Sequence, residues 1–405
     1  MTKYGRSPWV DQFPKSRVPS YPRHRTPIEI DVAIIGGGVT GAVTAYAFAA
    51  AGIKVALFEA DRIGRGASGA SVGWIAPEPR SSFADAEKAR GRKAARHVWQ
   101  SWRRAALDFA ALIRRLDIKC YLEPSTALQI AVSPEQAAAL RREQKIRKEA
   151  GLDAAAVNAR AVGDETGLTA AGALRSREAA TLDPYRLTLG LVAAAAERGA
   201  NIFEQSPVTR ITFTRKSATI FTGAGPTRVS RIVVATGLPT ELFRSLQRHF
   251  WFHTAYLALT EPVPGKIRNT LGTRCALVRD WAAPPHTLRW VSGERLLVAG
   301  ADGEEAPARL LDKTVVQRTG QLMYELSTMY PDISGIQPAY GWAAPYARTA
   351  DGVPCFGAHR NFPFHLFAFG DSSSSVTGSY LASRVFLRHH LGEADPADDA
   401  FGFRL

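Results

Sequence analysis

Residues 30–61 run Ile-Asp-Val-Ala-Ile-Ile-Gly-Gly-Gly-Val-Thr-Gly through to Phe-Glu-Ala-Asp, a stretch that dictates strand, tight turn, helix and second strand in succession. Val32 to Ile35 is a short apolar run suited to a parallel strand buried on both faces. Gly36 permits the turn out of it, Gly38 lets the backbone approach a pyrophosphate, and Gly41 lets the next helix pack on the sheet. The spacing predicts a helix over 39–51, ended by Gly52, with its N-terminus aimed at phosphate. A second strand over 54–58 then delivers Glu59, an acid placed to accept hydrogen bonds from ribose hydroxyls. Glycine-rich turns alone are common, but the flanking strand, helix and acid together point to a bound dinucleotide. A carboxylate at 59 repels a 2′-phosphate and does not separate NAD from FAD.

A chain of 405 residues exceeds one usual core, so two connected domains are expected. Much of the net charge of +14 comes from arginines along 84–117, a stretch predicted as one long helix. Trp99, Trp102, Leu107, Leu112 and Leu116 are available for its apolar face. No nucleic-acid motif accompanies this charge, so no nucleic-acid partner is expected; a field that draws in an anionic small substrate is the milder reading. Cys120, Cys275 and Cys355 are widely separated and read as small buried side chains, which suits a cytoplasmic protein. No apolar run approaches the ~20 residues needed to span a bilayer. The Pro- and Arg-rich segment Met1 to Thr26 lacks the apolar core of a signal peptide. Trp9, Phe13 and Tyr21 suit an arm across the body of the protein; a disordered tail is the alternative. His253, His286 and His359 lack metal-ligand spacing, so no metal is expected.

Directly after Glu59, small residues from Gly64 to Ser71 leave room for a flat ligand against the backbone, with Ser68 and Ser71 offering hydroxyls. A surface loop is the plainer alternative. Ser133-Pro134 and Asp183-Pro184 cap helices, Asn201–Glu204 and Pro207–Thr214 read as strands, and Arg231–Gly237 as a buried strand ending in Ala-Thr-Gly. Between 243 and 330 the pattern turns to alternating strands at Tyr256–Glu261, Thr287–Val291 and Arg295–Gly300. The C-terminal part returns to strand, turn and helix. The fold class is therefore α/β: a Rossmann-like nucleotide domain with an inserted, mostly antiparallel α+β substrate domain. The boundaries expected are an arm at 1–27, the nucleotide domain at 28–90, 150–242 and 331–405, and the substrate domain at 91–149 and 243–330.

Four blocks then resemble the FAD-dependent oxidoreductases of the D-amino-acid oxidase type, which include glycine, sarcosine and γ-glutamylputrescine oxidases. They are Gly36–Gly41 with Glu59, Gly66-Ala-Ser-Gly-Ala-Ser71, Arg231–Gly237, and Arg348–Gly357 followed by Phe369-Gly370. The resemblance runs from about residue 28 to the end of the sequence. It implies FAD, with Gly36, Gly38 and Gly41 at the pyrophosphate and Glu59 on the adenosine ribose. It puts Gly66, Ser68 and Ser71 along the flavin, and Val208 against adenine. Ala235, Thr236 and Gly237 would close over the diphosphate, and Gly370, Ser375, Val376 and Thr377 would meet the pyrimidine edge of the flavin.

The sequence also departs from the family. Relatives place glycines where Ser372 to Ser375 stand here, and a serine cannot use positive φ cheaply. In glycine and D-amino-acid oxidases an arginine on the preceding strand grips the substrate carboxylate; the matching position is Tyr346, with Arg348 two residues on. This arrangement is closer to the γ-glutamylputrescine-oxidase-like branch. Arg289 is a further candidate clamp. No cysteine occurs in 342–348, so the FAD is expected to be non-covalent. The resemblance implies oxidation of a C–N bond in a small amine or amino acid by hydride transfer to flavin N5, with O2 or another electron acceptor, and no protein acid or base. A flavin-binding protein with little turnover, suggested by the four serines, and a flavin enzyme acting on modified RNA remain as alternatives.

Overall fold

The computed structural model describes residues 1–214, 217–282, 284–370 and 376–403. The four-serine segment therefore lies outside the described residues. Val32–Ile35 is buried at every position and sits at the centre of a six-stranded sheet. The strand order is Cys355–His359, Phe362–Phe369, Arg231–Gly237, Val32–Ile35, Val55–Phe58 and Asn201–Phe203, parallel except at the Cys355 edge. Chain order reverses on either side of Val32–Ile35, which opens a crevice at the carboxyl ends of the strands. The helices Val39–Ala50, Pro184–Glu197 and Thr377–Leu391 cover one face in a common apolar core.

The second large sheet has a path running Lys3–Tyr4, Pro338–Arg348, Trp251–Thr260, Arg295–Glu304, Thr287–Val291, Ala276–Asp280, Glu123–Ala131, Gly172–Thr181 and Trp74–Ile75. It is mostly antiparallel, and the helix Leu311–Met329 packs on it through Leu322 and Leu326. A small three-stranded sheet, Arg210–Phe213, Ala218–Thr222 and Gly225–Val229, packs through Ala218, Ile220 and Val229 into one core with Ala33, Ile35, Phe58 and Val234 of the six-stranded sheet.

Several expected boundaries change. The stretch 84–117 is two helices, Phe83–Arg90 and Arg92–Arg115, because Gly91 between them takes φ 79° and ψ 157°, a conformation open only to glycine at low cost. Leu107 on the second helix is exposed, while Val98, Trp99, Trp102, Ala106, Phe109 and Ile113 form the buried stripe. That helix packs in a core shared by both sheets, and Phe109 stacks on Tyr380 of the helix Thr377–Leu391 at 5.0 Å. Gly172–Thr181 and Pro338–Arg348 hydrogen-bond into the substrate sheet rather than the nucleotide sheet. The strand expected over 207–214 spans only Arg210–Phe213. Cys275 is exposed, against expectation; Cys120 and Cys355 are buried.

The N-terminal segment is an ordered arm. Lys3–Tyr4 pairs in parallel with Tyr340 and Gly341, Trp9 is buried, and the His24 amide donates to Ser206 Oγ at 2.9 Å. It thus straps both sheets. Among the described residues no helix is long and apolar enough to cross a membrane.

Candidate functional site

The crevice of the six-stranded sheet is a cavity of about 630 Å³. Its walls include the turn 36–40, the loop carrying Gly66, Ser68 and Ser71, the segment 207–209, and 235–237. Glu59 and Val376 also line it. Gly36 has φ 109°, and a Cβ there would stand 2.7 Å from the Ala235 carbonyl oxygen. At Gly41 a Cβ would stand 1.9 Å from the Gly36 carbonyl oxygen, so this glycine seats the helix on its own turn rather than lining the cavity. Glu59 is oriented by two backbone donors, Gly37 N–H at 2.7 Å and Asp61 N–H at 2.8 Å. Ser68 Oγ accepts from Val39 N–H at 2.9 Å, which ties the loop to the start of the helix. Ser71 Oγ is buried on this cavity and has no partner among the described residues.

A second cavity, of about 980 Å³, opens beside the substrate sheet. Gly370, expected on the cofactor, lines this one; its near neighbour Ala368 lines the first. Here Arg80 Nη2 lies 2.8 Å from Asp302 Oδ2, and the Tyr346 hydroxyl donates to the same carboxylate oxygen. The Arg80 guanidinium stands 5.1 Å from the centre of the Tyr346 ring, and the His253 ring stacks with the same ring at 5.8 Å. Burial pushes the Tyr346 phenol up to about 12, so it stays protonated at neutral pH and acts as a donor, not a base. Arg279 donates to the Arg80 carbonyl oxygen at 2.9 Å. Burial first, then the charge of Arg80, brings its pKa down to about 9, which still leaves it a cation at neutral pH.

Asp280 and His286 frame the segment bordering this cavity. His286 Nδ1 is 2.6 Å from Asp280 Oδ2, and Nε2 is 3.0 Å from Glu325 Oε2 on the helix Leu311–Met329. Burial lowers the imidazole pKa, but the two carboxylates outweigh it and the net shift is upward. With a raised folded pKa, the His286 contribution to stability is complete below the ordinary 6.5 and is lost as pH rises through the folded value. The expected result is that the melting-temperature advantage of the native protein over His286→Asn shrinks from pH 6 towards pH 9. A constant difference across thermal melts in that range would contradict it.

The family of FAD dependent oxidoreductases (DAO) matches residues 31–387. The chain belongs to it. Gamma-glutamylputrescine oxidoreductase of Escherichia coli (strain K12) is 26% identical over 379 residues, covering 92% of this chain and 86% of its own. The crystal structure of glycine oxidase from Geobacillus kaustophilus aligns with a TM-score of 0.75 at 21% identity, over 93% of this chain and 98% of that one. L-Amino acid deaminase from Proteus myxofaciens, in complex with anthranilate, aligns with a TM-score of 0.76 at 14% identity, over 98% of both chains. The last two establish the shared fold.

The cofactor of this DAO-family enzyme is FAD, and the cleft suits it. An elongated dinucleotide needs close backbone at its phosphates, an acid for its ribose and polar donors along its length. The bare Gly36–Gly38 turn, the oriented Glu59 and the unpartnered Ser71 hydroxyl provide these. Of the predicted contacts, Gly36, Gly38, Glu59, Gly66, Ser68, Ser71, Val208, Ala235, Thr236, Gly237 and Val376 line the cleft. Ser375 lies outside the described residues. Thr377 does not line it: its hydroxyl donates to the Ala76 carbonyl oxygen at 2.8 Å and accepts from the Ala76 amide at 2.9 Å. Thr40, Thr240 and Phe356 also line it and were missed, because nothing in their local sequence marks them.

Tyr346 and Arg348 both line the second cavity, as their shared strand face implied. Arg289 does not. Its guanidinium is buried against the Gly73 and Leu182 carbonyl oxygens and stands 5.0 Å from the centre of the Trp9 ring. It is buried, as a clamp would be, but in the packed junction with the arm and not in the cavity. Arg80, Arg279 and Asp302 were missed. Asp302 would have come from carrying the alternation of Arg295–Gly300 four residues further, to the true end at Glu304. Among the described residues no group of His, Cys, Asp and Glu is arranged to hold a metal ion.

Proposed function

We propose that this protein oxidises the C–N bond of a small amine or amino acid carrying an anionic group. The charge balance of the second cavity supports this reading. Three of its four carboxylates are paired, Asp302 with Arg80, Asp351 with Arg90 and Asp280 with His286; Asp85 is held by the Ser82 hydroxyl, and Lys88 also lines the cavity. Arg279 and Arg348 have no carboxylate within 4.0 Å among the described residues. Two guanidinium groups without a directly paired carboxylate, Arg279 within the cavity and the exposed Arg348 at its edge, favour an anion, which can meet a guanidinium with two parallel hydrogen bonds.

Bound FAD supplies the hydride acceptor. The chain's own share is positioning. Arg279 and Arg348 bind the anionic end, while the Asp302-held Tyr346 and its neighbour His253 form a rigid wall that orients the amine. Tyr346 holds its proton, so it serves as a hydrogen-bond donor and not as a general base. No cysteine lines the cofactor cleft among the described residues, which favours non-covalent FAD. The test is anaerobic mixing of the yellow holoenzyme with a panel of primary amines, secondary amines and amino acids. Carboxylate-bearing amines should bleach the flavin absorbance; a flavin that stays oxidised across the whole panel would overturn the proposal.

A further inference from the structure

The loop from Gly66 to Gly73 forms one wall of the cofactor cleft, and its backbone is held from outside by side chains remote in sequence. Ser7 Oγ donates to the Gly69 carbonyl oxygen, Trp342 Nε1 to that of Ala70 at 2.8 Å, and Trp9 Nε1 to that of Ser71 at 3.0 Å. Arg289 donates to the Gly73 carbonyl oxygen. Two of these four donors belong to the N-terminal arm. Arm and loop are also in direct contact, since a Cβ on Gly69 would stand 3.2 Å from Val10 Cγ2.

Ser71 joins the two sides. Its carbonyl is taken by the buried Trp9 indole, while its hydroxyl is buried on the cleft without a partner among the described residues. A buried hydroxyl left unpaired is costly, so its site is one made for a ligand atom. The peptide is planar, so holding the carbonyl limits the rotation that would carry Ser71 away from the cleft. We infer that the N-terminal arm is a positioning element of the FAD site, acting through Ser71: Trp9 fixes the loop backbone so that the Ser71 hydroxyl meets the cofactor. Arg289, against the Trp9 ring, holds the indole in turn.

The test reads FAD affinity alone, by quenching of flavin fluorescence on titration with apoprotein, in the absence of any amine. Its outcome is therefore independent of the proposed substrate. Trp9→Phe keeps an aromatic ring and removes the donor; it should weaken FAD binding about fivefold. Ser71→Ala should weaken it by a similar factor, and the double variant should be no weaker than Ser71→Ala, because both remove the same contact. Losses that multiply in the double variant would overturn the inference. So would unchanged FAD affinity in Trp9→Phe with only a lower apoprotein melting temperature, which is the signature of a merely structural arm. Should Trp9→Phe not fold, Ser7→Ala deletes one hydroxyl from the same clamp; a two- to threefold loss of affinity supports the inference and no loss overturns it.

Discussion

Replacing Arg90 by alanine destabilises the folded chain by about 3–5 kcal/mol, the usual penalty for leaving a buried charge without its partner. Arg90 is the last residue of the helix Phe83–Arg90, and its side chain is 3% exposed. Its Nε stands 2.5 Å and its Nη2 3.1 Å from the two oxygens of Asp351, a forked pairing, and it also donates to the Ala400 carbonyl oxygen. The Asp351 side chain is only 10% exposed, so water replaces the lost guanidinium poorly. Burial alone would raise its pKa, but the hydrogen bond and charge of Arg90 bring the carboxyl below the ordinary 3.8. A depressed folded pKa means this contribution is present above 3.8 and is lost as pH falls through the lower folded value. Urea denaturation at neutral pH measures the loss. Adding Asp351→Asn to Arg90→Ala should recover much of it, and a single-variant loss below about 1 kcal/mol would contradict the assignment. The consequence reaches the site, since Asp351 lines the second cavity and accepts from the Val353 amide at 3.1 Å.

Arg279→Ala raises KM for an anionic amine substrate about 100-fold, with much less change in kcat, because the contact it removes serves ground state and transition state alike. Arg279→Lys keeps the charge and loses the forked geometry, so it should recover only part of the affinity. The apoprotein should melt no lower than the native one. Arg279 lies against the like charge of Arg80, with its pKa brought down by burial and by that neighbour, so its removal relieves repulsion in the empty cavity. Steady-state kinetics on matched substrates, with and without the carboxylate, decide the matter. An equal rise in KM for both, or no rise for either, would sink the role.

The cofactor cleft was legible because its determinants are local. The turn at Gly36–Gly38, the helix behind it and Glu59 are encoded within about thirty residues, a span over which strand, turn and helix signals act without help from elsewhere. Gly91 was legible in principle, yet the strong apolar period on both sides concealed a break that one backbone conformation imposes. Arg289 shows the limit more sharply. The strand pattern made it a candidate clamp, but could not say whether its side chain met a cavity or the arm. The same limit moved Gly172–Thr181 and Pro338–Arg348 to the other sheet: their apolar patterns suit either, and only pairing partners distinguish the two.

By itself, then, the sequence determined the α/β class and a dinucleotide site, since close approach of backbone to phosphate demands particular residues at a particular short spacing; resemblance of the later blocks to a known family is what made the dinucleotide FAD. Tertiary structure alone decided which charges share the second cavity. Arg80, Arg279, Asp302 and Tyr346 come from distant parts of the chain and meet through the folding and pairing of separate segments. It also decided which guanidinium groups there lack a directly paired carboxylate among the described residues. Neutralisation depends on a partner a few ångströms away in space, and no pattern within one strand records that distance.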